Sequence, residues 1–229
     1  MQNWKWGLFA LLLPALSWGQ ARTVEEVMEH FGPVARERLF DYWQQLPFDM
    51  EIRAAKWVAI KDAQRMEVWL QDQGLNWHKL RDYPILKLSG SLRPKMREGD
   101  LQVPEGVYRI DAANPNSAFH LSLRIDYPNR LDRLYGELEQ RDALGNNIFI
   151  HGQEVSWGCL AMGDDNIEEL FVLAHDIGLN NIEMVITPRD PRLEPLIRPA
   201  GVPEWVEQKY DKIQASLAEL QTPVTMVSR

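Results

Sequence analysis

A β-rich α+β domain with helical extensions at both ends is the fold class that the sequence predicts, and three observations predict it. Short β-branched and aromatic runs separated by turn residues fill the stretch from Lys56 to Asp111. One amphipathic helical pattern follows at Asp165–Gly178, and a further strand pattern comes directly after it at Ile182–Thr187. The remaining helical periodicity lies outside this middle, before Pro47 and after Pro203.

Residues 1–19 read as a secretory signal peptide. Lys5 gives a thin positive start, Leu8–Leu16 an apolar run of suitable length, and Ser17 and Gly19 the small residues before a cut after Gly19. That run is shorter than the ~20 apolar residues of a membrane span, and no later stretch approaches this length. A periplasmic or secreted protein with no span after signal removal is therefore expected. No cysteine stands near the cut, which excludes a lipoprotein anchor, and a single cysteine excludes an internal disulfide. The formal charge of −8 falls to −9 once Lys5 leaves, which argues against nucleic acid and anionic membrane surfaces as partners.

Residues 20–50 form the N-terminal extension. Thr23-Val24-Glu25-Glu26 is a capping box that opens a helix. Gly32-Pro33 is expected to interrupt it, with Pro33 starting a second helix packed on the sheet. Residues 51–190 are the central domain. Trp57–Ile60 and Met66–Leu70 read as a hairpin, with further strands at Trp77–Leu80 and Ile85–Leu88. Ser89 to Tyr108 is a long loop punctuated by Gly90, Gly99, Gly106, Pro94 and Pro104, leading into the strand Val107–Asp111. Phe119–Tyr127 alternates as a strand, with His120 facing away from the apolar side. Tyr127–Arg133 reads as a loop. Asp165, with Glu168 three residues on, caps the helix that Gly178 ends. Residues 191–229 comprise part of a five-proline irregular stretch, Pro188–Pro203, and a last helix over Trp205–Leu220 that docks on the core.

The stretch that carries chemistry is Ile148–Met162. His151 closes an apolar strand and Gly152 turns the chain out of the sheet; the single cysteine, Cys159, follows eight residues later, after Gly158. A thiol needs a base to become a nucleophile, and acyl transfer needs N–H donors for the oxyanion. His151 can be that base. It either takes the proton of Cys159 as reaction proceeds or holds the pair as thiolate and imidazolium. Backbone N–H groups at Trp157, Gly158 and Cys159 can be the donors, and Ser156 or a strand carbonyl can orient His151. The five histidines form no metal-ligand spacing, so no metal and no cofactor is expected.

His-Gly followed by Ser-x-Gly-Cys-Leu-x-Met resembles the signature of the L,D-transpeptidase (YkuD) catalytic domain family. Trp157 stands where that family usually has a second histidine, Ala161 where it has Asn or Arg, and the spacer is short. All three departures resemble the YafK-like branch. Pro94-Lys95-Met96-Arg97-Glu98-Gly99-Asp100, Pro104-Glu105-Gly106-Val107-Tyr108 and Tyr127-Pro128-Asn129-Arg130-Leu131-Asp132-Arg133 resemble further blocks of the same branch. The resemblance covers Lys56 to Thr187 and implies a YkuD-type β-sandwich.

It also implies a cysteine-dependent transpeptidase that acts on peptidoglycan stem peptides through a thioester acyl-enzyme, in cell-wall cross-linking or remodelling. Arg93, Lys95, Arg97 and Tyr108 would bind substrate, the basic residues holding a carboxylate. The alternative is a hydrolase that frees D-Ala, or a peptidoglycan-anchored lipoprotein, from diaminopimelate-containing stems. A non-catalytic cell-wall binding module is the reading from another class. The presence of both nucleophile and base speaks against it.

Overall fold

The computed structural model describes residues 21–47 and 50–220, so the expected signal peptide lies outside the described residues. Nine strands join in the order β3-β2-β1-β9-β5-β6-β7-β8-β4. The strands β1 (Ile52–Ile60), β2 (Arg65–Asp72) and β3 (Trp77–Pro84) form an antiparallel meander. Near the other edge, β4 (Lys87–Leu88) pairs antiparallel with β8 (Leu160–Ala161), which runs parallel to β7 (Ile148–His151).

The link between these halves is β5 (Gly106–Ser117). Its first residues pair with β9 (Ile182–Thr187), and from Ile110 onward it pairs with β6 (His120–Ile125). The register shifts between Ile110 and Ala112, a bulge that bends the strand as it passes from one half to the other. Trp57, Met66, Val68 and Met184 from the first half share one core with Leu121, Leu123, Ile150 and Leu160 from the second. This is the β-rich α+β arrangement expected.

Burial on both faces explains why β1 is apolar without alternation. Trp57 and Ala59 enter the shared core, whereas Val58 and Ile60 meet Val206, Tyr210, Ile213 and Leu217 of the C-terminal helix α4 (Val206–Leu217). The last helix therefore docks on the core, as expected.

Four local expectations need correction. The helix α1 (Val24–Trp43) begins at the Thr23–Glu26 capping box but runs straight through Pro33. Glu29 and Pro33, the two residues between which the helix loses its N–H to carbonyl bond, are both exposed. As expected α1 reaches the sheet, with Val27 and Leu39 in the shared core, but it packs most heavily on α3 (Asp164–Ile177): Arg36 pairs with Asp176 at 2.9 Å and Arg38 with Glu168 and Glu169 at 2.7 and 3.0 Å. Ile85–Leu88 contracts to the two residues of β4, because β3 continues to Pro84. Within the block read as a loop, Asn129 caps a helix, α2 (Arg130–Leu138), reciprocally with Asp132. Finally, the cap of α3 is Gly163, at φ 81°, and Asp165 lies inside the first turn.

Candidate active site

His151 ends β7 and is buried, at 2% exposure. Its Nδ1 lies 2.6 Å from the carbonyl oxygen of Gly152. A carbonyl can only accept, so Nδ1 carries the proton and Nε2 is left with a lone pair. The ring also lies against Phe119, with centroids 4.7 Å apart. Burial pushes the imidazole below its ordinary pKa, and the Gly152 carbonyl opposes this only in part. The resting group is a neutral base with a fixed tautomer.

Gly152 has no room for a side chain. A Cβ there would stand 2.6 Å from Asp164 Oδ1 and 2.7 Å from the Phe119 carbonyl oxygen. The loop that leaves it is tied to the start of α3, with Gln153 N–H donating to Asp164 Oδ1 at 2.8 Å and Gly163 N–H to the Gln153 carbonyl at 3.0 Å.

The loop returns through a tight turn. Ser156 Oγ accepts from the Cys159 N–H at 3.2 Å and donates to the Cys159 carbonyl at 2.7 Å. Gly158, at φ +100°, occupies backbone space that other residues rarely adopt, and its N–H donates to Ser89 Oγ at 2.6 Å. The β7–β8 register sets Ile150 beside Leu160 and His151 beside Ala161. Cys159 immediately precedes β8 and so lies alongside β7, the strand that His151 ends. Among the described residues, the hydrogen-bond partner of Sγ is the Asn147 carbonyl, at 3.8 Å, and not His151. Burial pushes the Cys159 thiol up, although the Phe149 backbone and the Lys95 charge counter it.

Two expectations change here, and the oxyanion donors gain partners. A resting thiolate–imidazolium pair is not favoured, because burial drives both groups towards their neutral forms. Ser156 closes the Cys159 turn and leaves the orientation of His151 to the Gly152 carbonyl. Of the three candidate oxyanion donors, Gly158 and Cys159 N–H already bind serine hydroxyls, while the Trp157 side chain is 74% exposed.

The model of the YkuD L,D-transpeptidase catalytic domain matches residues 55–186, more than half of the chain. The chain belongs to the L,D-transpeptidase (YkuD) family. YafK of Escherichia coli K12, named as a candidate L,D-transpeptidase, is 34% identical over 113 residues, which is 48% of this chain and 43% of YafK. The same figures hold for YafK of strain O157:H7. The chain thus spans less than half the length of these curated relatives. Among solved structures, the helical cell shape determining protein Pgp2 of Campylobacter jejuni aligns with a TM-score of 0.47 at 20% identity, over 68% of this chain and 56% of that one. L,D-transpeptidase 1 of Mycobacterium tuberculosis aligns with a TM-score of 0.34 at 17% identity, over 58% and 62%.

In this L,D-transpeptidase-family domain the blocks around Cys159 divide into structural and accessible parts. The Pro94–Asp100 block closes on itself. The Asp100 carboxylate accepts from the N–H groups of Met96, Arg97 and Gln102 at 2.8, 3.0 and 3.0 Å, and from Lys95 Nζ at 2.6 Å. Burial would raise the Asp100 carboxyl, but Lys95 and these amides lower it on balance. Lys95 is therefore a buried loop strut, and its expected role as a substrate ligand is corrected. Arg97 and Arg93 are exposed; Arg93 donates to the Ala200 carbonyl at 3.2 Å.

Tyr108 is corrected too. It is 2% exposed, and its hydroxyl donates to the Glu105 carbonyl and accepts from Lys209, each at 3.1 Å. It belongs to a buried network that the sequence did not reveal. Lys61 Nζ and the Tyr210 hydroxyl both reach the Glu105 carboxylate at 2.8 Å, and Lys209 also binds Asp132. Two motif carboxylates, Glu105 and Asp132, are thus held through α4, and the signal for this was only a lysine in an apolar helix stripe.

A groove of about 1240 Å³ lies on the α4 side of the sheet, lined by Lys56, Arg109, Arg130 and Lys212 among others; neither Cys159 nor His151 lines it. None of the described helices is long and apolar enough to cross a membrane.

Proposed function

We propose that this protein is a periplasmic or secreted acyltransferase that cuts peptidoglycan stem peptides with Cys159 as nucleophile and His151 as general base. The observation that carries this reading is the 2.6 Å bond from His151 Nδ1 to the Gly152 carbonyl, which leaves a basic Nε2 at the end of the strand beside which Cys159 lies. The thiol and imidazole begin neutral. As sulfur attacks the peptide carbonyl, the thiol proton passes to Nε2, which avoids separating charge in a buried site before substrate arrives. The carbonyl electron pair moves onto oxygen, and collapse of the tetrahedral species leaves a thioester on Cys159. The amine leaving group takes its proton from His151.

An acceptor amine then makes the reaction a transpeptidation, and water makes it a hydrolysis that frees D-Ala or an anchored lipoprotein. The compact His-Gly to Cys spacer, which resembles the YafK-like branch, is what favours keeping the second outcome beside the first. The exposed Arg93 and Arg97 are the side chains available to hold a stem carboxylate. Incubation with purified peptidoglycan fragments, read by mass spectrometry, tests the proposal. Cross-linked dimers identify a transpeptidase and shortened or protein-freed stems a hydrolase. Unchanged fragments that remain bound to the protein would instead identify the binding module.

A further inference from the structure

We propose that Ser89 is a positioning residue for acyl transfer, fixing the orientation of the Trp157–Gly158 peptide beside the nucleophile. This rests on the assignment of Cys159 as nucleophile. The pairing of β4 with β8 sets Lys87 opposite Ala161 and Leu88 opposite Leu160. Ser89 follows β4 directly and Cys159 precedes β8 directly, so the end of this strand pair brings the Ser89 hydroxyl to the turn that carries the thiol.

The contacts of that hydroxyl are specific. Ser89 Oγ accepts the Gly158 N–H at 2.6 Å, donates to the Leu101 carbonyl at 2.8 Å and lies 3.5 Å from Ser156 Oγ. A hydroxyl has one proton and two lone pairs. Its proton is committed to Leu101, so Ser89 acts on the reaction through the Gly158 amide and not as a donor of its own. The amide needs such a restraint. Gly158 has no Cβ, and one placed there would find its nearest neighbour, the Gln102 carbonyl oxygen, only at 3.4 Å. A glycine tolerates the backbone angles on both sides of such a rotation, so its own conformational preference does not hold the Trp157–Gly158 peptide in place. Rotated, it would turn the Trp157 carbonyl to the side where the N–H now points, setting a negative dipole where an oxyanion needs a positive one. The Ser89 bond holds the N–H on that side, and a growing oxyanion can share it as a bifurcated bond.

The alternative is a staple that merely joins the Ser89–Glu105 loop to the Cys159 turn. Two reactions of the same thiol separate the roles. With p-nitrophenyl acetate, sulfur attacks the carbonyl carbon and the thiol proton passes to His151. The oxyanion then forms and collapses, breaking the C–O bond and releasing p-nitrophenolate to leave an acetyl thioester. With iodoacetamide, sulfur displaces iodide at a methylene carbon and no oxyanion forms. Ser89→Val and Ser89→Thr have the same shape and differ only in the hydroxyl.

The proposal expects Ser89→Val to acylate at least about tenfold more slowly than the wild type, while Ser89→Thr stays close to it. Iodoacetamide alkylation should remain unchanged in both. Equal losses in acylation and alkylation would reduce Ser89 to a staple and overturn the proposal. So would unimpaired acylation in Ser89→Val. If the wild type itself forms no acetyl thioester at Cys159, the nucleophile assignment fails, and the role of Ser89 fails with it. Ser89→Ala, with its smaller side chain, repeats the comparison if Val disturbs the fold.

Discussion

Replacing Gly152 by alanine strikes the contact that fixes the base, and its two consequences differ in size. The added Cβ would meet Asp164 Oδ1 at 2.6 Å, the Phe119 carbonyl oxygen at 2.7 Å and His120 Cβ at 3.0 Å. The Asp164 carboxylate can swing, but it would then release the Gln153 N–H it now accepts at 2.8 Å. The Phe119 carbonyl is backbone and yields less. Overpacking of this kind costs about 1–3 kcal/mol, which for a domain near this size lowers Tm by roughly 2–12 °C. The effect on catalysis should be larger. Relief of the clash moves residue 152, and with it the carbonyl that His151 Nδ1 binds at 2.6 Å. A base displaced by an ångström commonly loses about 100-fold in rate. Thermal melts and thioester formation, followed on the same preparation, measure the two effects. A variant that loses stability but keeps full acylation at a temperature where it is folded would refute the claim that the Gly152 carbonyl orients the base.

Cys159→Ala should abolish turnover with little change in Tm, and Cys159→Ser should be nearly as inactive, since a hydroxyl is far harder to ionise than a thiol; intact-mass detection of acyl-enzyme reads both. Because burial lowers the His151 pKa, the acid limb of kcat/KM should fall below the ordinary imidazole value of about 6.5, and a limb above it would contradict a buried neutral base. The same shift makes the unfolded chain bind a proton first, so stability should drop as pH falls from the ordinary value towards the depressed one, measurable by urea titration. The raised Cys159 thiol should make native alkylation at pH 8 slower than that of the unfolded chain. Lys209→Met strands Asp132 in the interior and should cost about 3–5 kcal/mol. Arg97→Ala, at an exposed position, should leave denaturant stability within about 0.5 kcal/mol while raising KM for a carboxylate-bearing stem.

The sequence was most readable where the physics is local. Thr23 and Glu26 sit three residues apart and cap each other, and Gly178 ends α3 at φ 86° because few other residues can. The strand Ile182–Thr187 is apolar enough to need no context. Asn129 and Asp132 carry the same local signal as Thr23 and Glu26, with aspartate in place of glutamate. The proline and the likeness of the block to a loop motif masked a helix start that its residues do encode.

The site resisted reading because its decisive pairs are distant in the chain. Lys95 and Arg97 are equally basic and two positions apart, yet one is buried on Asp100 and the other is exposed. What separates them is the fold of a loop, since the Asp100 carboxylate gathers the amides of Met96, Arg97 and Gln102 and draws in whichever cation comes within reach. Ser89 and Gly158 are 69 residues apart, and Lys209 and Glu105 are 104 apart. No pattern in either segment announces the other. His151 and Cys159, the proposed base and nucleophile, could be singled out from one short stretch because eight residues separate them in the chain. The Gly152 carbonyl that binds His151 and the Ser89 hydroxyl that binds the Gly158 amide are contacts that only the folded chain brings into being.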